Sequence, residues 1–594
     1  MKIYKEMNFT AAKESAIKNL SRFYNVSKIE VASDSSCEQE FWTVELEILR
    51  NGQVMILPIT LRLDCDFPLS LPRLHISKKD VEKLGYIPNI DTGGLVCVYD
   101  ANTNLPDPEQ PEIIVEICVR KAKEIIEQGL RGDANKENYD KEFIAYWENN
   151  YGGEQAVDIR ALSLINDEKN VANPIKYVCL QSSLGKFSSI IYSDPQSFET
   201  IQKNLNESGI KYFEIPTFYL GELNDLNPPF NLNNKDIVSI ATSLNKYEEF
   251  VEYLNSAPLL PIVTFSKNID GRFLFFGWIH KQTAIKSKRR RRILTKKEIP
   301  LSPKNYARIA DAENGNFSVN RFSPQVLTWE RLKRRSSADF SAFEKSKAKR
   351  VLIAGLGSIG SNLIPYLENM GIPEFVLVDD EVLTLDNIGR HLLGLSDVYK
   401  GKTHAVRDYL ISRNPLISVS VLQEKVMPLI KRDSTVLESC DFHFFCTGDI
   451  NSEMWLGNNM VGSSWGRPSF FVWVEPYLLG GHCVYYNGVT PIDWNGLFPG
   501  TRFLYNFISE DTHKRVEFTK RENGCQSTYI PYGSSMLHLF LASIFPKIHN
   551  HLQAYGENTC YSWIGDLSFA AQKNILISKW GTNLNSFDLV ERKI

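Results

Sequence analysis

Residues 351–378 constrain the fold of this chain more than any other stretch. An apolar run, Val351-Leu-Ile-Ala354, leads into Gly355-x-Gly357-x-x-Gly360. A helical pattern follows from Ser361 to Met370, and a second apolar run spans Phe375 to Val378. Strand, glycine turn, helix and strand in that order predict a βαβ unit of a doubly wound parallel sheet. The glycines let a phosphate approach the backbone, and the helix N-terminus adds partial positive charge. Dinucleotide dehydrogenases use the same fingerprint, with an acid about 20 residues later for the ribose. Asp379 and Asp380 fit that role in either case.

The residues that follow separate the readings. Asn387 and Arg390 put an amide and a guanidinium beside the glycine loop. Tyr399-Lys400-Gly-Lys402-Thr-His-Ala opens a helix with a lysine near its entry. A second carboxylate, Asp449, follows the apolar strand Phe442 to Cys446. Arginine plus lysine suits a triphosphate and the charge that develops at its α-phosphorus. A strand-end aspartate suits Mg²⁺. A nicotinamide enzyme needs none of these.

In this order the motifs resemble the adenylating domain of ubiquitin-activating enzymes and their bacterial relatives in thiamine and molybdopterin biosynthesis, the ThiF type. The resemblance spans residues 331–594 and implies an ATP and Mg²⁺ site. Its pattern falls on Gly355, Gly357 and Gly360, on Asp379, on Asn387 and Arg390, on Lys402, and on Asp449 as the metal ligand. Lys402 is preferred to Lys400 because it is the lysine of Gly-Lys-x-x-Ala. The family also uses an upstream arginine, and Arg331, Arg334 and Arg335 are equal candidates.

Two cysteines stand in thiol-chemistry contexts. Cys525, in Glu522-Asn-Gly-Cys-Gln-Ser-Thr528, resembles the loop cysteine that accepts an acyl group from the adenylate in activating enzymes. Cys97 resembles the ubiquitin-conjugating active site. Asn89, in Ile87-Pro-Asn89, lies eight positions before it, where that family's His-Pro-Asn stands. The asparagine side chain is implied to stabilise the oxyanion formed when an amine attacks a thioester. Ile87 replaces the histidine, which puts the geometry of the loop in question rather than its chemistry.

The flanking pattern supports an α+β unit over residues 1–152. An amphipathic helix at 10–24 precedes two alternating strands, Phe41 to Leu49 and Val54 to Leu63. A third strand at Leu74-His-Ile76 follows. Helices come next at 111–130, with Ile113, Ile117, Ala122 and Ile125 at helical spacing, and at 142–147. Residues 153–330 carry mixed signals and no nameable chemical motif, and read as an α/β middle domain. Their basic run, Lys286 to Arg292 with Lys296 and Lys297, reads as a solvated loop or an acidic-protein docking surface. The chain is therefore expected to be multidomain, with the Rossmann-like adenylation domain last.

The net charge of −3 argues against general binding to nucleic acid or membranes. The ten cysteines form no Cys-x-x-Cys pair, which disfavours a structural zinc. No apolar run is long enough to span a bilayer, and a cytoplasmic protein is expected. The whole arrangement resembles the Cap-type conjugation enzymes of cyclic-oligonucleotide antiphage systems (CBASS). That resemblance implies a homodimer. It also implies that the conjugated protein is a cGAS/DncV-like nucleotidyltransferase (CD-NTase), joined through its C-terminus to target lysines. A sulfur-carrier adenylyltransferase, a non-catalytic interaction protein and a dehydrogenase are the other readings.

Overall fold

The computed structural model describes residues 9–30, 39–50, 52–85, 87–91, 93–99, 106–132, 139–140, 143–148, 159–171, 174–226, 234–256, 261–269, 271–279, 320–333, 345–346, 349–515, 518, 520–521 and 528–594. Arg334, Arg335, Cys525 and the basic run 286–297 lie outside these residues. The chain forms two compact units. One comprises Met1–Asp194 and Tyr212–Val326, the other Pro195–Lys211 and Leu327–Ile594.

The first unit opens with helix α1 (Phe9–Leu20) and strands β1 (Asn25–Ile29), β2 (Glu40–Arg50), β3 (Gln53–Leu63) and β4 (Arg73–Ile76). They form an antiparallel meander in sequence order. Alternation along β2 and β3 buries Val44, Leu46, Ile48, Leu57, Ile59 and Leu61 on one face. Helix α2 (Lys78–Leu84) is capped by the Ser77 side chain, which accepts from the Asp80 N–H. Helix α3 (Pro111–Arg131) starts on a proline and stops at Gly132, whose φ of 83° suits only glycine comfortably. Its buried stripe is Ile114, Val115, Cys118, Val119, Ala122 and Ile126, packed on the meander. Of the expected stripe Ala122 is buried and Ile117 and Ile125 are half-buried, while Ile113 is exposed. The run Ile113-Ile-Val115 offers two phases, and only the sheet chooses between them. Cys65 is disulfide-bonded, which the scattered cysteine spacing did not foretell.

The short helix Phe143–Glu148 does not close that core. Phe143 and Trp147 are buried with Phe265, Phe276 and Trp278 of a four-stranded sheet built from 218–222, 262–269, 272–279 and 320–322. Trp147 Nε1 donates to the Phe322 carbonyl at 3.0 Å. Beside them the buried Lys267 pairs with Asp140 at 2.8 Å and donates to the Asn224 carbonyl at 2.7 Å. A boundary at 152 therefore falls after a helix that serves the middle sheets. The second of these is five-stranded and takes in 161–163, 176–184, 187–192, 212–216 and 325–326.

The second unit is an eight-stranded sheet flanked by helices. Its elements are β5 (Arg350–Ala354), α4 (Ser358–Met370), β6 (Glu374–Val378), α5 (Lys402–Arg413), β7 (Ser418–Leu422), β8 (Phe442–Phe445), α6 (Ile450–Met460), β9 (Ser469–Val474), β10 (Gly480–Tyr486), α7 (Ser534–Gln553), β11 (Thr559–Ile564) and β12 (Leu589–Lys593). The strand order is β7-β6-β5-β8-β9-β10-β11-β12. Strands β5 to β9 run parallel and the last three antiparallel. The expected βαβ unit is present, with its helix starting at Ser358 rather than Ser361. The chain winds from β5 outward to β7 and then returns to the other side of β5. That reversal opens a crevice at the carboxyl ends of β5 and β8, the place where doubly wound sheets bind ligands.

Helix Pro195–Glu207 belongs to this second unit, although it lies within the span read as a middle domain. The buried Asn204 side-chain amide donates to the carbonyls of Pro415 (3.0 Å) and Ile417 (2.9 Å), just before β7. No local motif announces this; the contact joins residues 211 positions apart.

Candidate functional site

The glycine loop is fixed by backbone packing. Gly355 has φ +87°, and a Cβ there would lie 2.6 Å from the Cys446 carbonyl group. A Cβ on Gly360 would lie 1.9 Å from the Gly355 carbonyl oxygen. At Gly357 the same position is open space, directly before the first turn of α4. Two of the glycines thus serve close packing, and the third leaves room for a ligand at a helix N-terminus.

Asp379 sits at the end of β6 and ties this loop down. Its Oδ2 accepts from the Leu356 N–H at 2.6 Å and its Oδ1 from the Glu381 N–H at 2.8 Å. Burial pushes its carboxyl up, and these two donors and Lys402 oppose the shift. A carboxylate has about four acceptor sites, so capacity is left for a ribose hydroxyl. On the other wall, Thr447 N–H (2.9 Å), Thr447 Oγ1 (2.8 Å) and Gly448 N–H (3.3 Å) all donate to Oε1 of the buried Glu453. This shapes the turn that presents Asp449, which caps α6 by accepting from Ser452 N–H and Oγ. The Ser452 hydroxyl holds the Asp449 carboxyl below the usual range, and it stays ionised.

Burial raises Glu453 to about 7, from an ordinary 4.5. Between those values the folded protein keeps a proton that the unfolded chain has released. Stability therefore falls as pH rises from about 4.5 to about 7 and stays at the lower level above it. Glu453→Gln keeps an acceptor for the three donors but cannot ionise. Melting curves at about pH 5 and about pH 8 should show a smaller drop for the variant than for wild type. Equal drops would remove Glu453 from the account.

Two adjoining cavities lie along the crevice, of about 260 Å³ and 430 Å³. Both are lined by Gly357, Glu381, Cys446 and Thr447, so they form one cleft. Gly355, Asp379, Asp380 and Asp449 line the first part; Asn387 and Arg390 line the second. Asn387 also caps its own turn, its Oδ1 accepting from the Thr384 N–H at 3.1 Å. Next to Arg390, the buried His391 accepts from the Leu393 N–H at Nδ1, so Nε2 carries the proton and donates to the Leu356 carbonyl at 2.8 Å. Burial lowers His391 to about 4, and it stays neutral.

Gly360 and Lys402 line neither part. Lys402 is buried, and its ammonium is ion-paired with the Glu381 carboxylate, which is 66% exposed and faces the cleft. A triphosphate that recruits Lys402 must compete with Glu381. Lys400 pairs with Asp397 at 2.9 Å on the surface. Arg331 is exposed on helix Trp329–Lys333, whose Lys333 forms a buried ion pair with Glu368 at 2.6 Å. Asp449 lines the cleft with Asp379, Asp380 and Glu381. Among the described residues no group of three or more His, Cys, Asp or Glu could hold a metal alone. Mg²⁺ characteristically takes one or two carboxylates plus substrate phosphates, and Asp449 fits that mode.

Sequence reasoning passed over Glu381 and Glu453. Glu381 was visible as the third residue of Asp379-x-Glu381. Glu453 shapes the site through contacts made only in the fold.

In the first unit, the loop before Cys97 folds back on itself. The Cys97 N–H donates to the Asn89 carbonyl at 2.8 Å, so the two residues are backbone neighbours. Ile90 and Val96 form the next bridge. Asn89 takes φ 64°, a left-handed conformation that asparagine tolerates. Asp91 Oδ1 accepts from the Leu95 N–H at 2.8 Å, and the Gly94 carbonyl accepts from the Ile76 N–H at 2.7 Å. Cys97 itself is exposed. Ile87 is buried, and its Cγ2 lies 2.3 Å from where a Cβ on Gly129 would stand. Ile87 thus packs on α3 at the position where the related pattern has histidine.

These two sites define a class: a cleft at the switch point of a doubly wound sheet, and an exposed cysteine on an α+β scaffold. Residues 331–465 match the ThiF family, and residues 21–152 match prokaryotic E2 family B. Each of these matches covers less than a quarter of the chain. Molybdopterin-synthase adenylyltransferase of Escherichia coli is 33% identical over 137 residues, covering 22% of this chain and 52% of that protein. Adenylyltransferase and sulfurtransferase UBA4 of Yarrowia lipolytica is 29% identical over 101 residues, covering 17% and 25%. The chain therefore spans a quarter to about half of the length of these relatives. A crystal structure of E. coli MccB with ATP aligns over 42% of this chain and 66% of that one, at 15% identity and a TM-score of 0.27. No helix of the described residues is long and apolar enough to cross a membrane.

Proposed function

We propose that this chain is an ATP-dependent protein-conjugating enzyme that activates a protein C-terminal carboxylate and passes it between two of its own thiols. The observation that carries this reading is the cleft that gathers Asp379, Asn387, Arg390 and Asp449 around the open Gly357 position. Asp379 receives the ribose, the α4 N-terminus and Arg390 face the phosphates, and Asp449 holds Mg²⁺. When bound, the metal neutralises phosphate charge. A carboxylate oxygen of the protein substrate attacks the α-phosphorus, and the bond to pyrophosphate breaks. Arg390 and Lys402 offset the negative charge that builds at phosphorus.

The Cys525 thiolate next attacks the acyl carbon and AMP leaves, giving a thioester. Cys97 takes the acyl group by thiol exchange. A target lysine amine displaces Cys97, with the Asn89 side chain donating to the oxyanion. Resemblance to the CBASS conjugation enzymes supports a homodimer, a cytoplasmic location, a role in antiphage defence and the C-terminus of a CD-NTase as substrate. Matches to molybdopterin-synthase adenylyltransferase favour a second reading, activation of a ubiquitin-like or sulfur-carrier protein. That chemistry has no use for an Asn89–Cys97 loop.

A non-reducing gel of the enzyme with ATP, Mg²⁺ and the CD-NTase distinguishes them. A thiol-sensitive adduct is expected on wild type and on Cys97→Ala, and none on Cys525→Ala. Adenylate formation without an adduct in any lane would support the sulfur-carrier reading.

A further inference from the structure

Arg390 follows the short turn Leu385–Asn387, and its carbonyl accepts from the Asn362 side-chain amide of α4 at 2.8 Å. Its guanidinium meets residues 140 positions away. Arg390 Nη1 donates to the Ile530 carbonyl at 2.8 Å, and its guanidinium lies 4.5 Å from the centre of the Tyr532 ring. The Tyr532 hydroxyl is hydrogen-bonded to Ser358 Oγ, at the first residue of α4. Both Ile530 and Tyr532 line the part of the cleft that holds Asn387 and Arg390.

The segment 530–532 is itself anchored. The Tyr477 N–H donates to the Pro531 carbonyl at 2.6 Å. Tyr477 and Leu478 both take left-handed conformations, with φ 57° and 54°. Non-glycine residues hold such angles only where the surroundings over-determine them. The kink turns a backbone donor toward Pro531.

We infer that Tyr532 is a positioning residue for the adenylation step: its ring is the platform that aims the Arg390 guanidinium into the cleft, and its hydroxyl fixes that platform to the start of α4. The inference rests on the adenylation reading above. It assigns the ring the larger effect, because the ring meets the guanidinium while the hydroxyl acts one step removed.

ATP–pyrophosphate exchange by the full chain, with the CD-NTase present, tests this in a double-mutant cycle. Tyr532→Phe keeps the platform and should stay within about 3-fold of wild type. Tyr532→Leu should lower kcat by roughly 10- to 30-fold, with a smaller change in KM for ATP. In an Arg390→Ala background the same leucine substitution should cost less than about 2-fold, since its effect runs through the arginine. Melting temperatures control for folding, and Tyr532→Met replaces leucine if that variant does not fold. An equal loss with and without Arg390, or a loss with phenylalanine as large as with leucine, overturns the inference. Wild type without exchange would instead sink the adenylation reading.

Discussion

Replacing Arg390 by alanine should lower ATP–pyrophosphate exchange about 10²- to 10³-fold while leaving the melting temperature nearly unchanged. Its side chain faces the cleft and packs on one ring, and its removal leaves no buried cavity. What it loses is a fixed positive charge where negative charge develops. Lysine at this position should recover little, because a point charge on a flexible stem cannot both stack on Tyr532 and donate to the Ile530 carbonyl. Unchanged exchange in the alanine variant would remove Arg390 from the reaction.

Gly360→Ala should act on stability instead. The new methyl would sit 1.9 Å from the Gly355 carbonyl oxygen, which the loop cannot move without displacing Gly355 from Cys446. A loss of about 3 kcal/mol is expected, roughly 6–12 °C in the transition of a unit this size. Gly357→Ala is the contrast: its methyl enters open space, so the fold should hold while nucleotide affinity falls. Thermal melts and a nucleotide-binding titration on the two variants read this out. Equal melting temperatures for both would mean that the loop yields where the packing says it cannot.

The parts of the site that could be read from sequence are those whose chemistry is local. A strand followed by spaced glycines states its own fold; Asp379, Asn387 and Arg390 follow the next strand end and turn, and Asp449 follows β8. Lys402 was preferred as the lysine of Gly-Lys-x-x-Ala, but its pairing with Glu381 depends on a side chain that the pattern leaves unspecified. Tyr532 was invisible, because nothing around Ile530-Pro-Tyr532 marks it as a neighbour of Arg390. Ile113 was misplaced on α3 for a related reason: three apolar residues in a row leave the choice of face to the partner. Ile87 shows the reverse case. A departure from the related pattern signalled a weakened loop, and Ile87 packs there on Gly129 of α3.

The placement of helix Pro195–Glu207 has a consequence for how the chain is made. Asn204 leaves the ribosome 211 residues before the Pro415 carbonyl that it will bond. At ordinary elongation rates that is a wait of about 10–40 s. Through that interval Phe198, Ile201 and Leu205, buried in the finished protein, have no C-terminal sheet to cover them. The C-terminal unit is therefore not a cassette that can be lifted out at residue 331. A fragment beginning there would lack a helix synthesised long before it, and supplying 195–211 as a separate peptide would be the way to restore the missing face.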